Sequence, residues 1–228
     1  FKKLSSVFQK IRDSLPEQTR VNPAWLSERI LLFPEPVTRV DPNVWDTIAK
    51  AIRDNRRLAI RHVSPKPNKV TTGQRIVDPY YLVSYRGEWY LSSYCHHRQA
   101  IRTFGVSRIT EAALRDETFR MPARMTAKRM YGDQFGIIWN EVSHPVRIRF
   151  SPAVAPFIRE RHWHPSQRIT EERTGGLVLE FTTNHLNEVK DWVLSWADAA
   201  TVLAPDLLVD KVTRALQQAQ ANYRTQTV

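Results

Sequence analysis

The chain has 228 residues and a formal net charge of +11, with 42% hydrophobic and 25% charged residues. That composition can bury the core of one large domain or two small ones and excludes a disordered tail. No apolar run approaches the ~18 residues of a bilayer span, no signal-peptide layout opens the chain, and a single cysteine, Cys95, excludes an internal disulfide or a multi-cysteine zinc site.

A reducing, cytoplasmic compartment is the expectation, and a start at Phe1 inside helix-like sequence suggests the C-terminal part of something longer. Residues 41–127 carry 15 Lys+Arg against 8 Asp+Glu, whereas residues 128–228 carry 12 against 11. The positive excess therefore belongs to the middle of the chain and favours a polyanionic partner there.

Leu4, Val7, Phe8, Ile11 and Leu15 share one helix face, which Pro16 ends. Asn22-Pro23 suits the start of a second short helix, and Phe33–Pro36 reads as a linker. Asp41-Pro42 repeats the cap signal before a helix with the stripe Val44, Trp45, Ile48, Ala49, Ile52, expected to end near Arg57.

The period then falls from about 3.6 to 2. Strands are predicted over Leu58–Val63, Arg75–Ser84, Trp89–Cys95 and Ile101–Ile109. The intervening segments are a polar loop over Pro65–Gly73, a turn at Arg86-Gly87 and another over His96–Ala100. Short strands with tight turns suggest a small, strongly bent sheet or barrel. Farther on, Val146–Phe150 is a strand, Ser151-Pro152 starts a helix to about Arg161, and Gln167–Arg173 pairs with Leu177–Thr182 through Gly175-Gly176. Two helices close the chain, one with Leu186, Val189, Trp192, Val193 and Trp196 on a face, the other with Leu207, Leu208, Val212 and Leu216. This second module reads as α+β.

Enzyme signatures are scarce. Seven glycines form no phosphate-cradling loop, and no serine sits in a nucleophile elbow. The carboxylates Asp78, Glu88, Asp116 and Glu117 are scattered, which argues against the clustered magnesium ligands of a nuclease. His96-His97 and His162-x-His164 lack a Cys or carboxylate at ligand spacing, so no metal or cofactor is expected. Cys95 reads as a packed small hydrophobe.

The segment 57–108 is instead dense in hydroxyls, tyrosines and guanidiniums. Guanidinium forks bind phosphate oxygens, and aromatic rings stack on bases. In Trp89–Cys95, alternation sets Trp89, Leu91, Ser93 and Cys95 on one face, the better core candidate, and Tyr90, Ser92 and Tyr94 on the other. In Ile101–Ile109, strict alternation groups Arg102 and Arg108 with Phe104 and Val106, a conflict that a bulge near Gly105 would relieve. The candidate ligand residues are Ser64, Arg75, Tyr94, His97, Arg98, Arg102 and Arg108.

Asp78-Pro79-Tyr80-Tyr81-Leu82, Arg86-Gly87-x-Trp89-Tyr90-Leu91-x-x-Tyr94 and Arg102-x-Phe104-x-x-x-Arg108-Ile109 together resemble the WYL-domain family of bacterial transcriptional regulators. Residues 146–216 are similar to the extension that often follows this domain, with Trp196-Ala197-Asp198 where that family commonly places Phe-Gly. The resemblance implies an α+β chain of three parts. These are a helical linker over residues 1–40, a WYL domain with an Sm-like or SH3-like β-barrel over 41–127, and a C-terminal extension over 128–228.

It also implies an N-terminal winged helix-turn-helix, outside this chain, that binds operator double-stranded DNA. The WYL domain would be a ligand sensor in a cytoplasmic homodimer, with single-stranded DNA or a nucleotide as effector and no catalysis. By position, Ser64, Arg102 and Arg108 match the family's sensing residues, and His62 stands where relatives often have Tyr. A module that only dimerises the regulator is the alternative expectation.

Overall fold

Asp41 caps the first described helix, α1 (Pro42–Arg53), its carboxylate accepting the N–H groups of Asn43 at 2.7 Å and Val44 at 3.4 Å. Such a cap is worth about 1 kcal/mol. The computed structural model describes residues 36–66, 69–132, 134–140 and 142–224. The helices expected over residues 4–15 and from Asn22-Pro23 lie outside them.

The stripe on α1 buries Val44, Ile48 and Ala51 against a five-stranded antiparallel sheet of order β4-β3-β2-β1-β5. The strands are β1 (Arg56–Lys66), β2 (Lys69–Tyr85), β3 (Glu88–Cys95), β4 (Ala100–Gly105) and β5 (Ile109–Thr118). Leu58, Ile60, Val77, Leu91, Cys95 and Phe104 fill the core beneath α1. Arg86 at φ 46° and Gly87 at φ 73° make the β2–β3 turn, the two successive positive-φ residues that match the twist of a hairpin.

Three features depart from the expected elements. The loop expected over Pro65–Gly73 is largely extended, with β1 and β2 in register out to Lys66 and Lys69, because Thr71 and Thr72 are β-branched and pair with Ser64 and Val63 across the hairpin. The strand expected over Ile101–Ile109 stops at Gly105, and a 3₁₀ turn over Val106–Arg108 leads into β5. That turn, rather than a bulge, takes Arg108 out of the alternation that held Arg102. β5 itself was not expected: it is rich in Glu, Ala, Arg and Asp, poor strand formers that pairing with β1 holds extended. β4 and β5 are sheet edges that do not pair with each other, so the expected barrel is not closed. The α+β class holds.

The second sheet, of order β7-β8-β6-β9, is also antiparallel. It comprises β6 (His144–Phe150), β7 (Arg168–Glu171), β8 (Leu177–Thr183) and β9 (Ala200–Ala204). Short α2 (Ala127–Tyr131) precedes this module, which holds α3 (Ala155–Arg159), α4 (Leu186–Leu194) and α5 (Asp206–Arg224). The helix expected from Ser151-Pro152 starts later and is shorter, after a turn in which Ser151 O accepts the Val154 and Ala155 N–H groups. β9, also unexpected, completes a β-α-β-β-α-β unit. Phe150, Leu179, Phe181, Val189 and Trp192 anchor its core.

Residues 119–143 connect the two sheets and hold to both. On the first side Tyr80, Met125 and Met130 are buried together against Tyr94, and Tyr81 Oη donates to Met125 O at 2.9 Å. On the second, Phe135 stacks on Phe181 at 5.1 Å, and Glu188 accepts the N–H groups of Ile137 at 2.9 Å and Ile138 at 3.4 Å. Thr38–Val228 form one compact unit.

Candidate anion-binding site

Along β1, His62 and Ser64 lie two residues apart and so share a face, with His62 Nδ1 at 3.1 Å from Ser64 Oγ. The register between β1 and β5 slips beside His62. Across the hairpin His62 pairs with Gly73, and Arg75, two residues on, lays its guanidinium over that glycine. A Cβ at Gly73 would stand 2.6 Å from Arg75 Nη1, which instead donates to Gln74 O at 2.7 Å.

Arg108 does the same over Gly105, filling the space a side chain there would need. Its ion pair with buried Glu88 is loose, 3.8 Å, because that carboxylate already accepts Ser107 Oγ at 2.6 Å, Thr38 Oγ1 at 2.9 Å and Trp89 N–H at 3.0 Å. Phe104 packs edge-on against the imidazole at 5.1 Å. Burial, then Arg108 and Arg75, push His62 down to a pKa of about 4, so the ring is neutral at pH 7. Three expected residues, Ser64, Arg75 and Arg108, thus surround a histidine.

Tyr94 and Arg102 lie elsewhere. They line a groove of about 700 Å³ together with Arg120, Arg124 and Trp139. A second groove, of about 670 Å³, shares Arg124, Trp139 and Asn140 with the first and continues past Arg129 to Ser166 and Thr182 of the second module. The one carboxylate among the described lining residues, Asp78, is buried and already holds Arg57 Nε and His96 Nε2, each at 2.9 Å. Among the described residues, Arg102, Arg120, Arg124 and Arg129 have no acidic partner. Tyr94 Oη donates to Gln99 Oε1 at 2.8 Å.

His97 lines a separate hollow of about 460 Å³ with Arg75, His96 and Arg115, and Arg98 is exposed in the turn between β3 and β4. The expected set therefore divides between a compact cluster, a long groove and an exposed turn. Arg120, Arg124, Arg129 and Trp139, on the connector, escaped the sequence reading because that stretch has no clean period. The only signal for them was the positive excess of residues 41–127, which includes Arg120 and Arg124. Among the described residues no three His, Cys, Asp or Glu side chains group as a metal site, and no described helix is long and apolar enough to cross a membrane.

Two family models match, a WYL domain over residues 43–114 and a WCX domain over residues 143–220. The chain carries a WYL domain followed by a WCX domain. Its first sheet with α1 is the WYL domain, and its second module is the WCX domain. No curated protein is significantly similar to it. Among solved structures it is similar to the proteasome accessory factor B/C (PafBC) of Arthrobacter aurescens, at 21% identity and a TM-score of 0.34 over 83% of this chain. It is also similar to a CRISPR Cas-related protein, at 12% identity and a TM-score of 0.49 over 81% of this chain. The chain spans 29% and 52% of those two proteins.

Proposed function

We propose that this chain is the effector-sensing and dimerising region of a cytoplasmic bacterial transcription factor, with no catalysis of its own. Its effector is an anionic nucleic acid, single-stranded DNA or a nucleotide, and operator DNA is bound by a domain N-terminal to these residues. One observation carries the reading: four arginines with no acidic partner among the described residues line a groove that runs from the WYL domain along the connector to the WCX domain. Arginines hold phosphates, and Trp139 and Tyr94 offer ring faces, with each stacked base worth roughly 1–3 kcal/mol.

A strand in that groove touches Arg102 on β4, the connector, and Thr182 on β8. It therefore favours one relative placement of the two domains, and only this differential affinity can change the geometry of a homodimer upstream. The exposed Leu207, Leu216 and Tyr223 of α5 supply apolar surface for dimer contact, which also supports the second reading of a pure dimeriser.

Titrating a labelled oligothymidylate into the chain at two salt concentrations tests the first. Affinity is expected to fall steeply with salt as counterions are released. Salt-insensitive binding, or none at micromolar protein, would leave the dimeriser.

A further inference from the structure

We infer that an anion held by Ser64, Arg75 and Arg108 brings a proton from solvent onto His62, so that effector binding is coupled to proton uptake. This rests on the effector-sensing reading and adds to it a second position for a phosphate of the same effector, apart from the groove of Arg102, Arg120, Arg124 and Arg129.

The geometry carries the inference. The His62 side chain sits in a residue only 9% exposed, and its Nε2 is buried without a hydrogen-bond partner, as is Nε of Arg108 beside it. Unpaired buried polar atoms are costly, and one on each of two residues that interact electrostatically marks a place completed by a ligand.

The groups facing the ring decide the sign. From β1 comes the Ser64 hydroxyl, from β2 the Arg75 guanidinium, from the 3₁₀ turn the Arg108 guanidinium, and from β4 the Phe104 ring. β3 contributes Glu88, whose carboxylate is committed to Ser107, Thr38 and a backbone N–H. β5 presents Ile109 opposite His62, and the nearby Arg61 and Glu111 pair with each other at 3.0 Å. Positive charge thus outweighs negative around a neutral imidazole.

A bound anion reverses this balance. It offsets both guanidiniums, and an oxygen near Nε2 accepts the hydrogen of the protonated ring. A tyrosine in place of His62 would keep its proton throughout this range, so the coupling belongs to the histidine.

The probe is an oligothymidylate with 5′-hydroxyl ends, whose phosphodiesters do not titrate between pH 5 and 8. Calorimetry in two buffers of different ionisation heat, at pH 7.5 and pH 5, counts the protons taken up. If the bound ring titrates near 6, affinity rises about tenfold between those pH values, with close to one proton taken up per site at pH 5.

H62Q is expected to lose that rise between pH 7.5 and pH 5, because glutamine has no proton to gain in this range. Equal proton uptake by H62Q and wild type, or a pH-independent wild type, overturns the coupling and leaves the effector reading standing. No binding at either pH removes both. Should H62Q not fold, carbon-13 NMR of the His62 ring in the wild type decides. The expected pKa is about 4 in the free protein, moving up by at least one unit with saturating oligothymidylate, and an unmoved value overturns the inference.

Discussion

Two sets of arginines live in different company. In the WCX domain one set is matched: Arg147 with Glu180 at 2.6 Å and Arg149 with Glu172 at 2.8 Å on the sheet, and Arg159 of α3 with Glu171 at 2.7 Å. Along the WYL groove and connector, Arg102, Arg120, Arg124 and Arg129 have no acidic partner among the described residues. A paired guanidinium has its forks occupied and must break a bond before it can hold a phosphate. An unmatched one in a concave surface keeps its donors available and its field focused. Local charge balance, more than the number of arginines, separates a binding surface from a solvated one.

The contrast can be broken most directly by removing two groove arginines. R102A/R124A is expected to weaken oligonucleotide binding by about 100-fold or more and to reduce the salt slope by about 1 per arginine, measured by fluorescence anisotropy. R147A/R149A, on the matched sheet, should leave both quantities unchanged. Equal losses from the two pairs would erase the distinction.

Next in size is an effect of acid on stability. The folded pKa of His62, about 4, lies below the ~6.5 of an unfolded histidine. The unfolded chain therefore binds this proton first. Stability falls as pH drops below 6.5, with the full loss reached below about 4. The difference in stability between H62Q and wild type should change by roughly 2–3 kcal/mol between pH 7 and pH 4, measured by urea unfolding. A pH-independent difference would mean that the imidazole is solvated.

A smaller effect is expected at Ala197, which has φ 50° in the turn after α4. A197G should raise stability by about 0.5–1 kcal/mol, because the left-handed region is costly for any residue with a Cβ. Smallest of all, E172Q, which uncouples the exposed Arg149, should change stability by about 0.5 kcal/mol or less in thermal unfolding.

The readable part of the chain was its periodic part. Asp41-Pro42 and the α1 stripe, the Arg86-Gly87 turn, the alternation of Leu91 and Cys95 against Tyr94, and the α4 face Leu186, Val189, Trp192 and Val193 all carry their structure in local pattern. β5 and β9 were illegible for opposite reasons. The first has a composition that opposes strand formation, and the second is only five residues long between two helical segments. Both are held by partners distant in sequence.

The site followed the same division. Ser64, Arg75 and Arg108 could be named from their types, but which of them meet depends on Gly73, Gly105 and a 3₁₀ turn that alternation cannot express. Ala197 was visible as a departure from the family's Phe-Gly, and its positive φ is the backbone that the glycine would have served.

The charged make-up that hid β5 has a use of its own. An open sheet leaves the outer side of its last strand with unpaired amides and carbonyls, an invitation for a stray chain to add itself and begin aggregation. Glu111, Arg115, Asp116 and Glu117 crowd that margin and are all exposed. They make docking of a further strand electrostatically and sterically unfavourable, so a sheet that never closes into a ring can still remain dispersed in solution.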